Sequence, residues 1–279
     1  MSTTHASETV FTLKQGRLPL LVSMPHIGTQ IPPHLQSGYT ARALQVEDTD
    51  WHLAQLYDFL PAMGASVLQP HYSRYVIDLN RPPDDAPLYP GASNTELCPT
   101  RFFTGDVLYL EDCAPDVAAR AQRRSDYWQP YHDALSRELQ RLVHVHGYAL
   151  LWDAHSIRSA IPWLFDGTLP ALNIGTANGQ SAHAAITQAV MDVCLAAGKF
   201  SHVLNGRFKG GYITRHYGRP TDHVHALQLE MCQNLYMQEA PPFTYDAALA
   251  AQVQAQLRAM LRAALNAGAA LYAGGGYGH

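Results

Sequence analysis

Short apolar runs in this chain stop abruptly on residues that ionise, coordinate or hydrogen-bond, and helical patterns separate them. No other feature limits the possible folds as strongly. Residues 18–23 (LPLLVS) run into Met24-Pro25-His26, and residues 148–152 run into Asp153-Ala154-His155. Residues 73–79, rich in β-branched and aromatic side chains, end on Asn80-Arg81, and residues 226–229 end on Glu230. Residues 64–69 and 212–215 also read as strands. Helical spacing extends over 41–60, 115–144 with a bend or break at Pro130, the alanine-rich 182–197, and 245–267. Strands alternating with long helices predict an α/β fold, with a mixed, largely parallel central sheet flanked by helices. In such sheets ligands collect beyond the carboxyl ends of the strands, where His26, Asn80, Arg81, His155 and Glu230 fall.

No linker-like segment divides the 279 residues, so one domain spanning 1–279 is expected, with flexible tails at 1–15 and 272–279. The Pro/Gly-rich stretch from Asn80 to Asp112 is too long for a plain connector, and is expected to be functional, as a lid over a site, or disordered.

A net charge of −4 offers no basic surface for nucleic acid. No run of about 18 apolar residues suggests a membrane span. The first 16 residues lack the basic and apolar segments of a secretory signal. Cys98, Cys113, Cys194 and Cys232 show no C-x-x-C spacing, which predicts free thiols and a cytoplasmic setting. A small-molecule substrate is the expected partner, and nothing in the patterning specifies an oligomeric state. The chain has 15 histidines against 19 Lys plus Arg, a modest pointer to metal.

A hydrolytic zinc site needs about three His or carboxylate ligands and a carboxylate to take a proton from water. His26 and His155 are the candidate imidazoles. The Glu47-Asp48-Thr49-Asp50 cluster offers the third ligand, Asp50 in preference to Asp48. Asp153, two residues before His155, suits a carboxylate that orients its ring. Glu230, at the end of an apolar strand, suits a general base, and Arg74 and Arg81 suit an oxyanion or a substrate carboxylate. Each has a plainer reading: a single histidine after a strand is commonly structural, and Asp48 and Asp50 would equally suit the first turn of a helix.

Three segments carry a likeness beyond composition. Pro25-His26-Ile27-Gly28, Asp78-Leu79-Asn80-Arg81 and Asp153-Ala154-His155-Ser156 resemble, in this order, motifs of the N-formylglutamate amidohydrolase family. Residues 48–52, 209–215 and 228–231 add supporting matches. The resemblance implies a fold related to the zinc-dependent exopeptidases and hydrolysis of N-formyl-L-glutamate to L-glutamate and formate, in histidine degradation. It further implies a zinc ion held by His26, Asp50 and His155, with Glu230 as base and Arg74 at the oxyanion. Asn80 and Arg81 would hold the α-carboxylate. Arg158 and Arg215 are the candidates for the distal carboxylate, with Lys209 and Tyr212 behind them. The sequence departs from the exopeptidase pattern at Thr29, where a glutamate ligand would stand three residues after the first histidine.

Overall fold

The computed structural model describes residues 9–88 and 95–273. Among these, seven strands form one sheet: β1 (Phe11–Lys14), β2 (Leu20–Ser23), β3 (Ser66–Pro70), β4 (Ala149–Ile157), β5 (Leu172–Gly175), β6 (His202–Leu204) and β7 (Val224–Cys232). Their order is β1-β3-β2-β4-β7-β5-β6. The central strands β3, β2, β4 and β7 are parallel; β1 is antiparallel to β3, and β5 is antiparallel to β7 and parallel to β6. The helices are α1 (Pro33–Gln36), α2 (Leu53–Leu56), α3 (Leu60–Met63), α4 (Val117–Arg123), α5 (Gln129–His146), α6 (Ala184–Ala197), α7 (Tyr212–Tyr217) and α8 (Ala247–Ala273). The mixed, largely parallel sheet flanked by helices is the architecture that the alternating pattern predicts. No helix among the described residues is long and apolar enough to cross a membrane.

Side chains alternate between the faces of a strand, and β4 shows what each face packs against. Leu150, Trp152 and Ala154 join Leu20, Val22, Leu227, Leu229 and Met231 under α6 and α8. Ala149 and Leu151, with Leu21 and Ala226, pack beneath Trp128 and the apolar stripe of α5. The second face continues with Asp153 and His155, and on β7 with Gln228 and Glu230, all buried. That end of the face is the floor of a cleft.

Several local expectations change. Residues 73–79 form turns: the Val76 amide bonds to the Ser73 carbonyl and the Arg81 amide to the Asp78 carbonyl. Their apolar side chains are buried within two clusters, so the composition reports burial while the backbone has no strand partner. Residues 41–60 are not one helix, because Val46 and His52 adopt left-handed φ angles of 47° and 60°, which interrupt it. Residues 212–215 begin α7 instead of a strand. The Asn80 side-chain oxygen accepts from the Ile213 amide (2.8 Å) and its carbonyl from the Tyr212 amide (3.3 Å), satisfying the first turn.

The bend expected near Pro130 is a π-helical turn over Arg124–Trp128 that joins α4 to α5 without ending the helical run. The wider turn suits a proline that lacks the N–H for an i−4 carbonyl. Both site strands extend past the first charged residue, so Asp153, His155 and Glu230 lie within β4 and β7. Of the expected tails, residues 9–15 and 272–273 are described: Phe11–Lys14 pairs with β3, and Tyr272 stacks on Tyr148 at 4.6 Å, while residues 1–8 and 274–279 lie outside the described residues. Of the 80–112 stretch, residues 89–94 lie outside the described residues; Phe102, Phe103 and Leu108 are buried.

Candidate active site

Backbone pairing sets the spacing of the site. His155 on β4 and Glu230 on β7 are register partners in parallel strands, so their side chains emerge side by side. His26 follows β2, the strand on the other side of β4. The loop bearing Asp50 is drawn in by a bond from the Asp50 amide to the His26 carbonyl (3.1 Å) and by the Ser156 amide, which donates to Asp50 Oδ2 (3.1 Å).

Three donor atoms meet here. His26 Nδ1 and His155 Nδ1 are 3.1 Å apart, and Asp50 Oδ2 lies 3.8 Å from the first and 3.3 Å from the second. Ligands about 2.0–2.2 Å from a shared tetrahedral ion stand roughly 3–4 Å from one another, so the set fits one divalent cation. The outer nitrogen of each ring faces a carboxylate, the arrangement that orients metal-ligating histidines. His26 Nε2 bonds to Asp78 Oδ1 at 2.7 Å, and His155 Nε2 lies 3.0 Å from Asp153 Oδ1, off the line of a hydrogen bond. Asp48 lies apart from this centre: it accepts from Tyr75 Oη (2.8 Å), the Phe103 amide (2.9 Å) and Arg158 Nη2 (2.9 Å).

The surroundings pull the ionisable groups of the site in opposite directions. Burial lowers the His26 imidazole, and the nearby Arg74 guanidinium lowers it further. For His155 burial is again the largest influence and acts downward, but Asp153, Asp50 and Glu230 outweigh it and hold the ring well above 6.5. Asp78 has the opposite balance: burial raises it, while Arg74 and His26 bring it well below 3.8. Burial pushes the Glu230 carboxyl up to about 8 against the opposing pull of His155.

Asn80 ties the site to the rest of the fold. Its Nδ2 lies 2.9 Å from His155 Nε2 and 3.3 Å from Asp153 Oδ2, which also accepts from Thr214 Oγ1 (3.0 Å). A Cβ at residue 211 would stand 2.4 Å from Asn80 Nδ2, so the contact requires Gly211. Arg74 Nη2 donates to Asp78 Oδ2 at 2.5 Å, and its guanidinium sits 4.7 Å from the Phe103 ring centre.

The cleft contains His26, Arg74, Asn80, Arg81, His155 and Glu230 from the sequence-predicted set. Arg158 and Arg215 do not line it: Arg158 is paired with Asp48, and Arg215 Nε bonds to the Gly210 carbonyl (2.8 Å). Lys209 and Tyr212 are also absent from its wall. Sequence reading missed Arg207, Phe103, Phe208 and Gln228, which do line it, and Asp78, which stands inside one of the recognised motifs. The Gly210-Gly211 doublet that follows Arg207 and Phe208 is the sequence signal for a close approach, which it makes to Thr214 and Asn80.

Residues 18–237 match the sequence model of the N-formylglutamate amidohydrolase family. The chain belongs to that family. It is 54% identical over 245 residues to an N-formylglutamate deformylase of Pseudomonas putida, an alignment covering 88% of this chain and 91% of the relative. It is likewise 54% identical to an N-formylglutamate deformylase of Pseudomonas aeruginosa, over 86% of this chain and 90% of that one. Its fold resembles the crystal structure of an N-formylglutamate amidohydrolase from Ralstonia eutropha, with a TM-score of 0.78, 23% identity and coverage of 95% and 99%. A gene product of Agrobacterium tumefaciens shares the fold at a TM-score of 0.71 and 19% identity, with 92% of this chain and 96% of that one covered. The family model spans every ligand candidate and Glu230, so the site lies wholly within the matched region.

Proposed function

We propose that this member of the N-formylglutamate amidohydrolase family hydrolyses N-formyl-L-glutamate to L-glutamate and formate with one bound zinc ion, as a step of histidine degradation. The convergence of His26, Asp50 and His155 beside Glu230, in a cleft bearing arginines, carries this reading. Identity of 54% to two N-formylglutamate deformylases supports the choice of substrate. The four free cysteines suit a reducing, cytoplasmic setting.

His26, Asp50 and His155 would hold the metal, which when bound makes water more acidic and opposes charge developing on a carbonyl oxygen. Asp78 and Asp153 keep the two rings turned toward it. Glu230 takes a proton from the attacking water and delivers it to the departing amine, a task suited to a carboxyl that burial has raised. Arg74, fixed by Asp78, directs positive charge at the formyl oxygen as it becomes an oxyanion. Asn80 and Arg81 orient the substrate through its α-carboxylate. Arg81 is itself steered by bonds from Nε to the Thr95 carbonyl (2.9 Å) and from Nη1 to the Asn80 carbonyl (3.0 Å). Formate contributes little contact, so binding relies on the glutamate carboxylates.

The test is formate release by the purified, zinc-loaded protein from N-formyl-L-glutamate, alongside N-acetyl and peptidyl glutamates and metal analysis. N-formyl-L-glutamate should be the preferred substrate, with one zinc per chain. Preference for an acetyl or peptidyl substrate, or absence of bound metal, would overturn the proposal.

A further inference from the structure

We infer that Arg207 is the residue that recognises the distal carboxylate of the substrate. This rests on the proposed N-formylglutamate reading. A dianionic substrate needs a cation at each end. Of the arginines lining the cleft, Arg74 is committed to Asp78 beside the ligand set, and Arg81 lies next to Asn80. Arg207 is the third, on the loop between β6 and α7. The wall beside it is apolar: Ile157, Leu164 and Phe208 line the same cleft and belong to one hydrophobic cluster. Such a wall accommodates the methylenes of a glutamate side chain and leaves its carboxylate to a planar guanidinium.

The loop is held in place on both sides of this arginine. Upstream, the Asn205 amide donates to the Ile174 carbonyl (2.7 Å), and its side-chain oxygen accepts from the Thr176 amide (2.8 Å). Downstream, the Lys209 carbonyl accepts from the Ala177 amide (2.6 Å), and a Cβ on Gly175 would come within 2.5 Å of the Gly210 nitrogen. Arg207 is further oriented by the Leu164 carbonyl, 3.4 Å from Nη2, and by the Phe208 ring, centred 5.5 Å away. An arginine held this way loses little freedom on binding, which favours recognition of a carboxylate.

The experiment compares N-formyl-L-glutamate with N-formyl-L-glutamine, a neutral isostere at the distal position only, in zinc-loaded wild type, Arg207→Met, Arg207→Lys and Arg81→Met. The glutamate-to-glutamine ratio of kcat/KM should fall roughly 10- to 100-fold in Arg207→Met, mainly through KM, the size of one lost charge-assisted contact. Arg207→Lys should fall less, and Arg81→Met should weaken both substrates in proportion because both keep the α-carboxylate. Calorimetry should show the same loss of preference for L-glutamate over L-glutamine as products. An unchanged ratio in Arg207→Met, or a collapse of the ratio in Arg81→Met instead, would overturn the inference. Failure of the wild type to hydrolyse either substrate would overturn the substrate reading beneath it.

Discussion

The two faces of the central sheet are made from the same strands and serve different ends. Toward α6 and α8, β4 and β7 present Leu150, Trp152, Ala154, Leu227, Leu229 and Met231, an apolar run bounded by His225 near the start of β7 and Ser156 near the end of β4. Toward α5 they begin with Ala149, Leu151 and Ala226 and then turn to Asp153, His155, Gln228 and Glu230. Both faces are buried, so burial alone does not separate core from site. The difference lies in what the buried groups meet: on one face mainly close-packed hydrocarbon, on the other carboxylates, imidazoles and an amide set against one another. Stability and chemistry are thereby assigned to opposite sides of single strands.

Substitutions on the two faces should part company. Trp152→Ala, on the packed face, should have the largest effect, about 3–5 kcal/mol of stability measured by denaturant unfolding. Its zinc stoichiometry should stay at one while folded; loss of metal in the folded variant would show that the faces are coupled. Glu230→Gln, one face over, should lower kcat by roughly 100-fold or more and keep zinc. Normal turnover by that variant would remove Glu230 from the mechanism.

The same substitution has a second signature in metal-free protein. A carboxyl raised from 4.5 to about 8 on folding lends stability that is complete below 4.5 and disappears as pH climbs through 8. Wild type stripped of metal should therefore weaken over that window, and Glu230→Gln should lack this component of the slope in pH-dependent unfolding. Asp153→Asn should weaken zinc binding by roughly 10- to 100-fold in a competition titration with a chelator, because the carboxylate facing His155 becomes an amide. Thr214→Val should have the smallest effect, about 1 kcal/mol of stability, by removing one hydrogen bond to Asp153. If Thr214→Val impaired zinc binding more than Asp153→Asn, the assigned support of His155 would be wrong.

The sequence made the packed face and half of the cleft readable. β2, β4 and α6 lie where apolar runs and helical spacing place them, and His26, His155 and Glu230 stand out because chemically active residues interrupt those runs. Asp50 and Asp48 were harder to separate, since both are buried; only the path of the loop between left-handed Val46 and His52 decides which reaches the imidazoles. The arginines were the least legible. A guanidinium sits at the end of a long, flexible stem, and whether it faces a cleft depends on segments far away in the chain: Arg158 turns to Asp48, while Arg207 is aimed by Asn205 and Lys209. Residues 73–79 misled for a related reason, since β-branched residues enclosed on all sides give the composition of a strand without its ladder.

Nine consecutive ladder pairs join β4 to β7, and the pair that matters for chemistry is the seventh, His155 with Glu230. The separation between proposed ligand and proposed base is thus inherited from the backbone and owes little to the loops. Loops that carry neither His26 nor Asp50 can then change length or side chains and alter what is admitted, while the spacing of His155 and Glu230 is kept by the ladder.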